Sequence, residues 1–80
     1  MKMPRVELKI YGRVQGIGFR YAAKKKAEKL GVICAPRNEP DGSLHIEAEG
    51  ESAQALEKFI AWCHKGPWGA KVERVEKDLV

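Results

Sequence analysis

Gly12-Arg13-Val14-Gln15-Gly16-Ile17-Gly18-Phe19-Arg20 is the stretch on which the reading of this chain turns. Before it, Arg5-Val6-Glu7-Leu8-Lys9-Ile10-Tyr11 alternates polar and apolar residues with the period of a half-buried strand. After it, Phe19, Ala23, Ala27 and Leu30 recur at helical spacing, which predicts a helix from Phe19 to Leu30. Three glycines within seven residues let the backbone turn sharply between the two. Successive N–H groups in such a turn can converge on one hollow, and the helix adds its own free N–H groups and the positive end of its dipole. With Arg20 in the first helical turn, the stretch is a candidate site for a tetrahedral oxyanion such as phosphate. Turns of this kind also occur as plain connections, and spacing alone leaves both readings open. The order G-x-x-x-G-x-G matches neither G-x-G-x-x-G nor G-x-x-x-x-G-K-[ST], so it does not imply a nucleotide.

Working outward, the helix turns Lys24-Lys25-Lys26 and Lys29 mostly to solvent, and Gly31 serves as its C-terminal cap. Val32-Ile33-Cys34-Ala35 reads as a short buried strand, and Pro36 after it suggests a sheet edge or a bulge. Asn38-Glu39-Pro40-Asp41-Gly42 has the composition of a turn. Leu44, Ile46 and Ala48 alternate with His45, Glu47 and Glu49, giving a third strand paired with the second as a hairpin. Ser52 caps a second helix with an apolar stripe at Leu56, Phe59, Ile60 and Cys63, and Gly66-Pro67 ends it. Ala70 to Val80 is the last strand, with a bulge expected near Arg74, where the facing parity slips. The order βαββαβ predicts an α+β fold of ferredoxin-like type, a four-stranded antiparallel sheet with two helices on one face.

Eighty residues, 44% hydrophobic and 32% charged, are expected to form one globular domain spanning residues 1–80. A chain of this length buries only roughly 60–65% of its unfolded surface, so its core is small. No apolar run is long enough to span a membrane and no signal-peptide pattern opens the sequence, so a cytoplasmic location is expected. Cys34 and Cys63 form no C-x-x-C and are read as buried small hydrophobes rather than as metal ligands or a redox pair. Residues 1–40 carry ten Lys/Arg against three acids (+7), and residues 41–80 carry five against eight (−3). The glycine stretch therefore sits in the positive half, which favours an anionic partner.

The letters of the stretch carry more than its spacing. Gly12-Arg13-Val14-Gln15-Gly16-Ile17-Gly18-Phe19-Arg20 resembles the signature of the acylphosphatase family, with Ile17 in place of Val. Leu30-Gly31, Arg37-Asn38, Asp41-Gly42-Ser43-Leu44, Gly50 and Gly66-Pro67 extend the resemblance over nearly the whole chain. The resemblance implies the same ferredoxin-like fold and hydrolysis of a carboxyl–phosphate anhydride without a cofactor. It implies that Val14, Gln15, Gly16, Ile17, Gly18, Phe19 and Arg20 bind the substrate phosphate. Arg20 and Asn38 correspond to the family's catalytic pair, the arginine on the phosphoryl oxygens and the asparagine on the attacking water. Taken by itself, Asn38 reads as a turn residue. The chain departs from the family at Cys34-Ala35-Pro36, where Gly-Trp-Val is usual, at Trp68, where a second proline is usual, and in lacking the short segment that ends most members. Lower stability and a shifted Asn38 carboxamide are the expected consequences.

The residue inventory is compatible with that chemistry. The sequence has no H-E-x-x-H, no Cys/His ligand cluster and no paired carboxylates near the glycine stretch, and His45 and His64 lie away from it. Both histidines are read as plain surface residues. A hydrolase made from these residues needs a substrate with a good leaving group, and the carboxylate of an acyl phosphate leaves unprotonated at neutral pH. A monomer acting on a small acyl phosphate is expected, with no metal, cofactor, nucleic acid or membrane partner. Two other readings remain: a non-catalytic anion-binding module, and an RNA-binding domain of ferredoxin-like fold. The acidic exposed positions of the third strand and the single ring at Tyr11 count against RNA.

Overall fold

The computed structural model describes residues 3–79. The elements follow the predicted order: β1 Arg5–Arg13, α1 Phe19–Leu30, β2 Val32–Asn38, β3 Leu44–Gly50, α2 Ala53–Lys65 and β4 Lys71–Leu79. The strands form one antiparallel sheet in the order β2-β3-β1-β4. Val6, Leu8 and Ile10 of β1 and Leu44, Ile46 and Ala48 of β3 are buried on the face that the two helices cover. Arg5, Glu7, Lys9, His45, Glu47 and Glu49 occupy the open face. Among the described residues, no helix is long and apolar enough to cross a membrane.

Each helix is fixed by its own sequence. Phe19 opens α1 and is 1% exposed, its ring edge-on to Trp62 at 5.5 Å, while Trp62 also stacks on Phe59 at 6.2 Å. Burial of one such ring contributes about 1.5–3 kcal/mol, which holds the start of α1 against α2. Ser52 caps α2 as predicted, its hydroxyl accepting from the Ala55 N–H at 3.1 Å. Gly31 and Gly66 end the two helices, both with positive φ.

The bounds of β2 and β4 differ from the sequence reading. β2 runs through Pro36 to Asn38 instead of stopping at Ala35, and Asn38 pairs with Leu44, so the turn begins only at Glu39. Nor is β2 a buried strand: Val32 is buried but Ile33 is 67% exposed, because alternate residues face the open side of the sheet. Pro36 sits on an edge strand with no shift of register against β3, so the edge alternative holds and the bulge does not. β4 begins at Lys71 rather than Ala70, and Val80 lies outside the described residues.

The bulge expected near Arg74 is present. Tyr11 pairs with Arg74 and Gly12 with Val72, leaving Glu73 as the extra residue of β4. Gly12 has φ +125, and a Cβ there would overlap the Lys71 carbonyl oxygen and come within 2.9 Å of the Glu73 nitrogen. Both obstacles are backbone, so neither moves cheaply.

The β2–β3 turn is held from inside. Glu39 N–H donates to the Ser43 carbonyl at 2.9 Å and Gly42 N–H to the Glu39 carbonyl at 3.1 Å. Asp41 Oδ1 accepts from the Ser43 N–H at 2.9 Å and from its hydroxyl at 2.5 Å, and Lys9 Nζ lies 3.4 Å from Asp41 Oδ2. The Ser43 hydrogen bonds, with a smaller contribution from Lys9, draw the Asp41 carboxyl down to about 2.

Gly12→Ala is expected to destabilise the fold by at least about 2 kcal/mol, since it adds left-side φ strain to a backbone clash. Urea denaturation measures this directly, and a loss below about 0.5 kcal/mol would mean the bulge relaxes freely. Asp41 gives a pH signature. Its folded value lies below the ordinary 3.8, so its stabilisation is complete above about pH 4 and fades as pH falls through about 2. Melting temperatures of wild type and Asp41→Ala should therefore differ at pH 5 and converge towards pH 2. A constant gap across that range would show that the Asp41–Ser43 contacts do not depend on ionisation.

Candidate functional site

Between β1 and α1 the chain makes its turn in five residues, Val14 to Gly18. Val14, 1% exposed, anchors the loop in the core on one side, and Phe19 anchors it on the other. Gly16 and Gly18 stand exposed between these anchors with φ +75 and +78. Gly18 is the N-cap of α1 and, being glycine, offers no side-chain acceptor to the helix. Its carbonyl accepts from Ala22 N–H at 3.0 Å, which starts the helical ladder. The N–H groups of Gln15, Gly16, Ile17 and Gly18 have no backbone acceptor among the described residues. Those of the first helical turn have none within the helix by construction. The first turn of α1 also contains no acidic residue to offset the helix dipole.

A cleft of about 380 Å³ opens at this loop. Val14, Gly16 and Gly18 line it from the loop, Phe19, Arg20, Tyr21 and Lys24 from α1, and Pro36 and Asn38 from β2. Asn38 reaches it because β2 alternates: Val32, Cys34, Pro36 and Asn38 share the helix-side parity, while Ile33, Ala35 and Arg37 are exposed on the other side. The cleft thus brings together two residues 18 positions apart that the sequence singled out, Arg20 and Asn38. Its lining contains two cationic side chains and no carboxylate. Arg5, Arg37 and Arg74 each hold a glutamate, at 3.8, 3.3 and 3.4 Å, whereas Arg20 has no ion pair among the described residues.

Two of the predicted phosphate-loop residues do not line the cleft. Ile17 packs against the core. The Gln15 side chain turns the other way, and its Nε2 donates to the carbonyls of Glu39 and Ser43, both at 2.9 Å. It therefore straps the glycine loop to the β2–β3 turn that follows Asn38, two segments separated by more than twenty residues. Sequence reasoning missed this strap because its acceptors are backbone carbonyls far along the chain. It also missed Lys24, which was grouped with the solvated lysine run although it stands four residues, one helical turn, after Arg20.

The remaining titratable groups lie elsewhere. His45 is no plain surface residue: its side chain is 15% exposed and its Nε2 is 3.0 Å from Glu7 Oε1. Glu7, His45 and Glu47 place their ligand atoms within 4.8 Å of one another, the one such group among the described residues. This trio is on the open face of the sheet and shares no residue with the cleft. His64 is exposed in the last turn of α2. Cys34 and Cys63 are both unpaired thiols; Cys63 is buried as the sequence reading has it, whereas Cys34 is only half-buried. Burial pushes Cys63 up to about 12, and it raises half-buried Cys34 as well.

The chain and its fold have counterparts among known proteins. The family model for acylphosphatase matches residues 6–79. An acylphosphatase of Thermococcus kodakarensis is 49% identical over 76 residues, covering 95% of this chain and 82% of that one. The crystal structure of acylphosphatase from Bacillus subtilis superposes with a TM-score of 0.92 at 32% identity, covering 98% of this chain and 86% of that one. Full-length HypF, crystallised in a phosphate- and nucleotide-bound form, contains a similar region, with a TM-score of 0.88 at 26% identity over 99% of this chain and 10% of that one. The match along almost the whole sequence, together with a shared fold, makes this chain a member of the acylphosphatase family.

Proposed function

We propose that this protein hydrolyses the carboxyl–phosphate bond of small acyl phosphates, releasing a carboxylate and inorganic phosphate. The observation that carries this reading is the single cleft into which the glycine loop, Arg20 and Asn38 all open. The phosphoryl oxygens take the unclaimed loop and helix N–H groups and the guanidinium of Arg20, which has no ion pair among the described residues. Asn38, on the opposite wall, accepts a hydrogen bond from water through its carboxamide oxygen and orients it for in-line attack. The water oxygen bonds to phosphorus as the phosphorus–oxygen bond to the acyl group breaks. The electron pair leaves with the carboxylate, and the water proton ends on the phosphate. Because the leaving group needs no proton, the residues are required only to position reactants and stabilise charge.

A second reading has one observation in its favour. The similarity to a tenth of full-length HypF suits a module that binds an anion in the service of another reaction. Turnover of a small acyl phosphate by the chain on its own separates the two. Nucleic-acid binding is less well supported. Tyr11, the one ring on the open face of β1, is covered by Arg74 at 4.0 Å and donates its hydroxyl to Glu76, so it is not free to stack on a base.

Steady-state hydrolysis of benzoyl phosphate with chelator present tests the proposal. Arg20→Ala is expected to raise KM and lower kcat, because the guanidinium contacts phosphoryl oxygens before and during reaction. Asn38→Ala should lower kcat alone, because an oriented water matters only at attack. Each loss in kcat should be about 10²–10³-fold, and Arg20→Lys should recover little. Full turnover by a folded Asn38→Ala protein would remove Asn38 from the reaction. Phosphate at about 100 times its dissociation constant should add about 2.7 kcal/mol of stability to wild type. An unchanged melting temperature at fixed ionic strength would exclude a phosphate site.

A further inference from the structure

The cleft holds a cation that the hydrolysis reading does not use. Lys24 lines it with Arg20, and the two stand four residues apart on one face, about 6 Å along the α1 axis. Local stability opposes this placement. Like charges at this spacing repel, and Arg20 in the first turn already faces the positive end of a helix without a first-turn acid. Glu28, the next residue along the same stripe, forms no ion pair with Lys24 among the described residues. Lys24 shares the cleft with Pro36 and Asn38 of β2. A departure from local preference inside a cleft, with no ion pair among the described residues, points to a position kept for a ligand.

We propose that Lys24 is a specificity-determining residue, its ammonium receiving a second negative charge on the acyl part of the substrate. This rests on the hydrolysis reading and narrows it: the preferred substrates are acyl phosphates with a carboxylate or other anion a short chain beyond the scissile bond. The phosphoryl group occupies the loop and Arg20, and the acyl group runs along α1 towards Lys24. A cleft of about 380 Å³ is large enough to take the acyl portion as well as the phosphate.

The test compares wild type, Lys24→Gln and Lys25→Gln on benzoyl phosphate and 3-carboxybenzoyl phosphate. Lys25 does not line the cleft and controls for net charge. Wild type should prefer the carboxylated substrate, and Lys24→Gln should reduce that preference about two- to fivefold through KM, the size of a partly exposed ion pair. Lys25→Gln should leave the preference unchanged, and added salt should shrink it in wild type. Thermal-shift titrations with phenacylphosphonate and its 3-carboxy derivative give the same comparison without turnover. Turnover with equal preference in wild type and Lys24→Gln overturns the role of Lys24 and leaves hydrolysis standing. Absent turnover with a Lys24-dependent preference in phosphonate binding upholds the role and removes hydrolysis. Failure to bind or turn over either pair overturns both.

Discussion

The start of α1 is the constraint from which the site follows. The chain leaves β1, turns within five residues and enters a helix whose first residue is already buried in the core. A turn that tight uses glycine at its left-handed positions, and glycine at the N-cap cannot satisfy the helix with its side chain. The first N–H groups of α1 therefore stay open, with Arg20 beside them and no acid near. Most helices use a serine, an aspartate or an early glutamate to neutralise that end; α2 of this same chain does so with Ser52. The contrast between the two helices identifies where the protein withholds its own acceptors, and the proposed phosphate would supply them.

The opposite wall is assembled by the sheet. β2 takes Asn38 to the cleft only because its ladder with β3 continues past Pro36, and the turn after it is pinned by Asp41 and Ser43. Gln15 then joins that turn to the glycine loop. The wall that carries Arg20 and the wall that carries Asn38 are thus coupled through two hydrogen bonds to backbone carbonyls. Gln15, whose side chain does not line the cleft, can still set the spacing of the residues that do.

Much of this was readable before the structure. β1, α1 and α2 announce themselves by period and caps, and the bulge of β4 by a slip of parity near Arg74. Arg20 is conspicuous because it follows the glycines directly. Asn38 is different: its neighbours have turn composition, and only its pairing with Leu44 shows that it closes a strand. Without the family resemblance nothing local connects it to Arg20. Lys24 was hidden by Lys25 and Lys26, since three successive residues span most of a helical circumference and only one of them lines the cleft. His45 was misjudged because its partner, Glu7, is on another strand. The features that escaped are those defined by distant partners, which periodicity does not encode.

Pro36 has a consequence for the molecule among its neighbours. β2 is an edge strand, and an edge presents a row of unpaired N–H and C=O groups to any extended chain that drifts past. A proline that leaves the ladder to β3 in register must direct its missing donor outward. The outer row is interrupted there, one residue before the charged Arg37, so another strand cannot zip along it. Ile33, 67% exposed on the same strand, would otherwise invite such addition. The residue that lines the cleft thereby also blocks the addition of further strands at the β2 edge of the sheet.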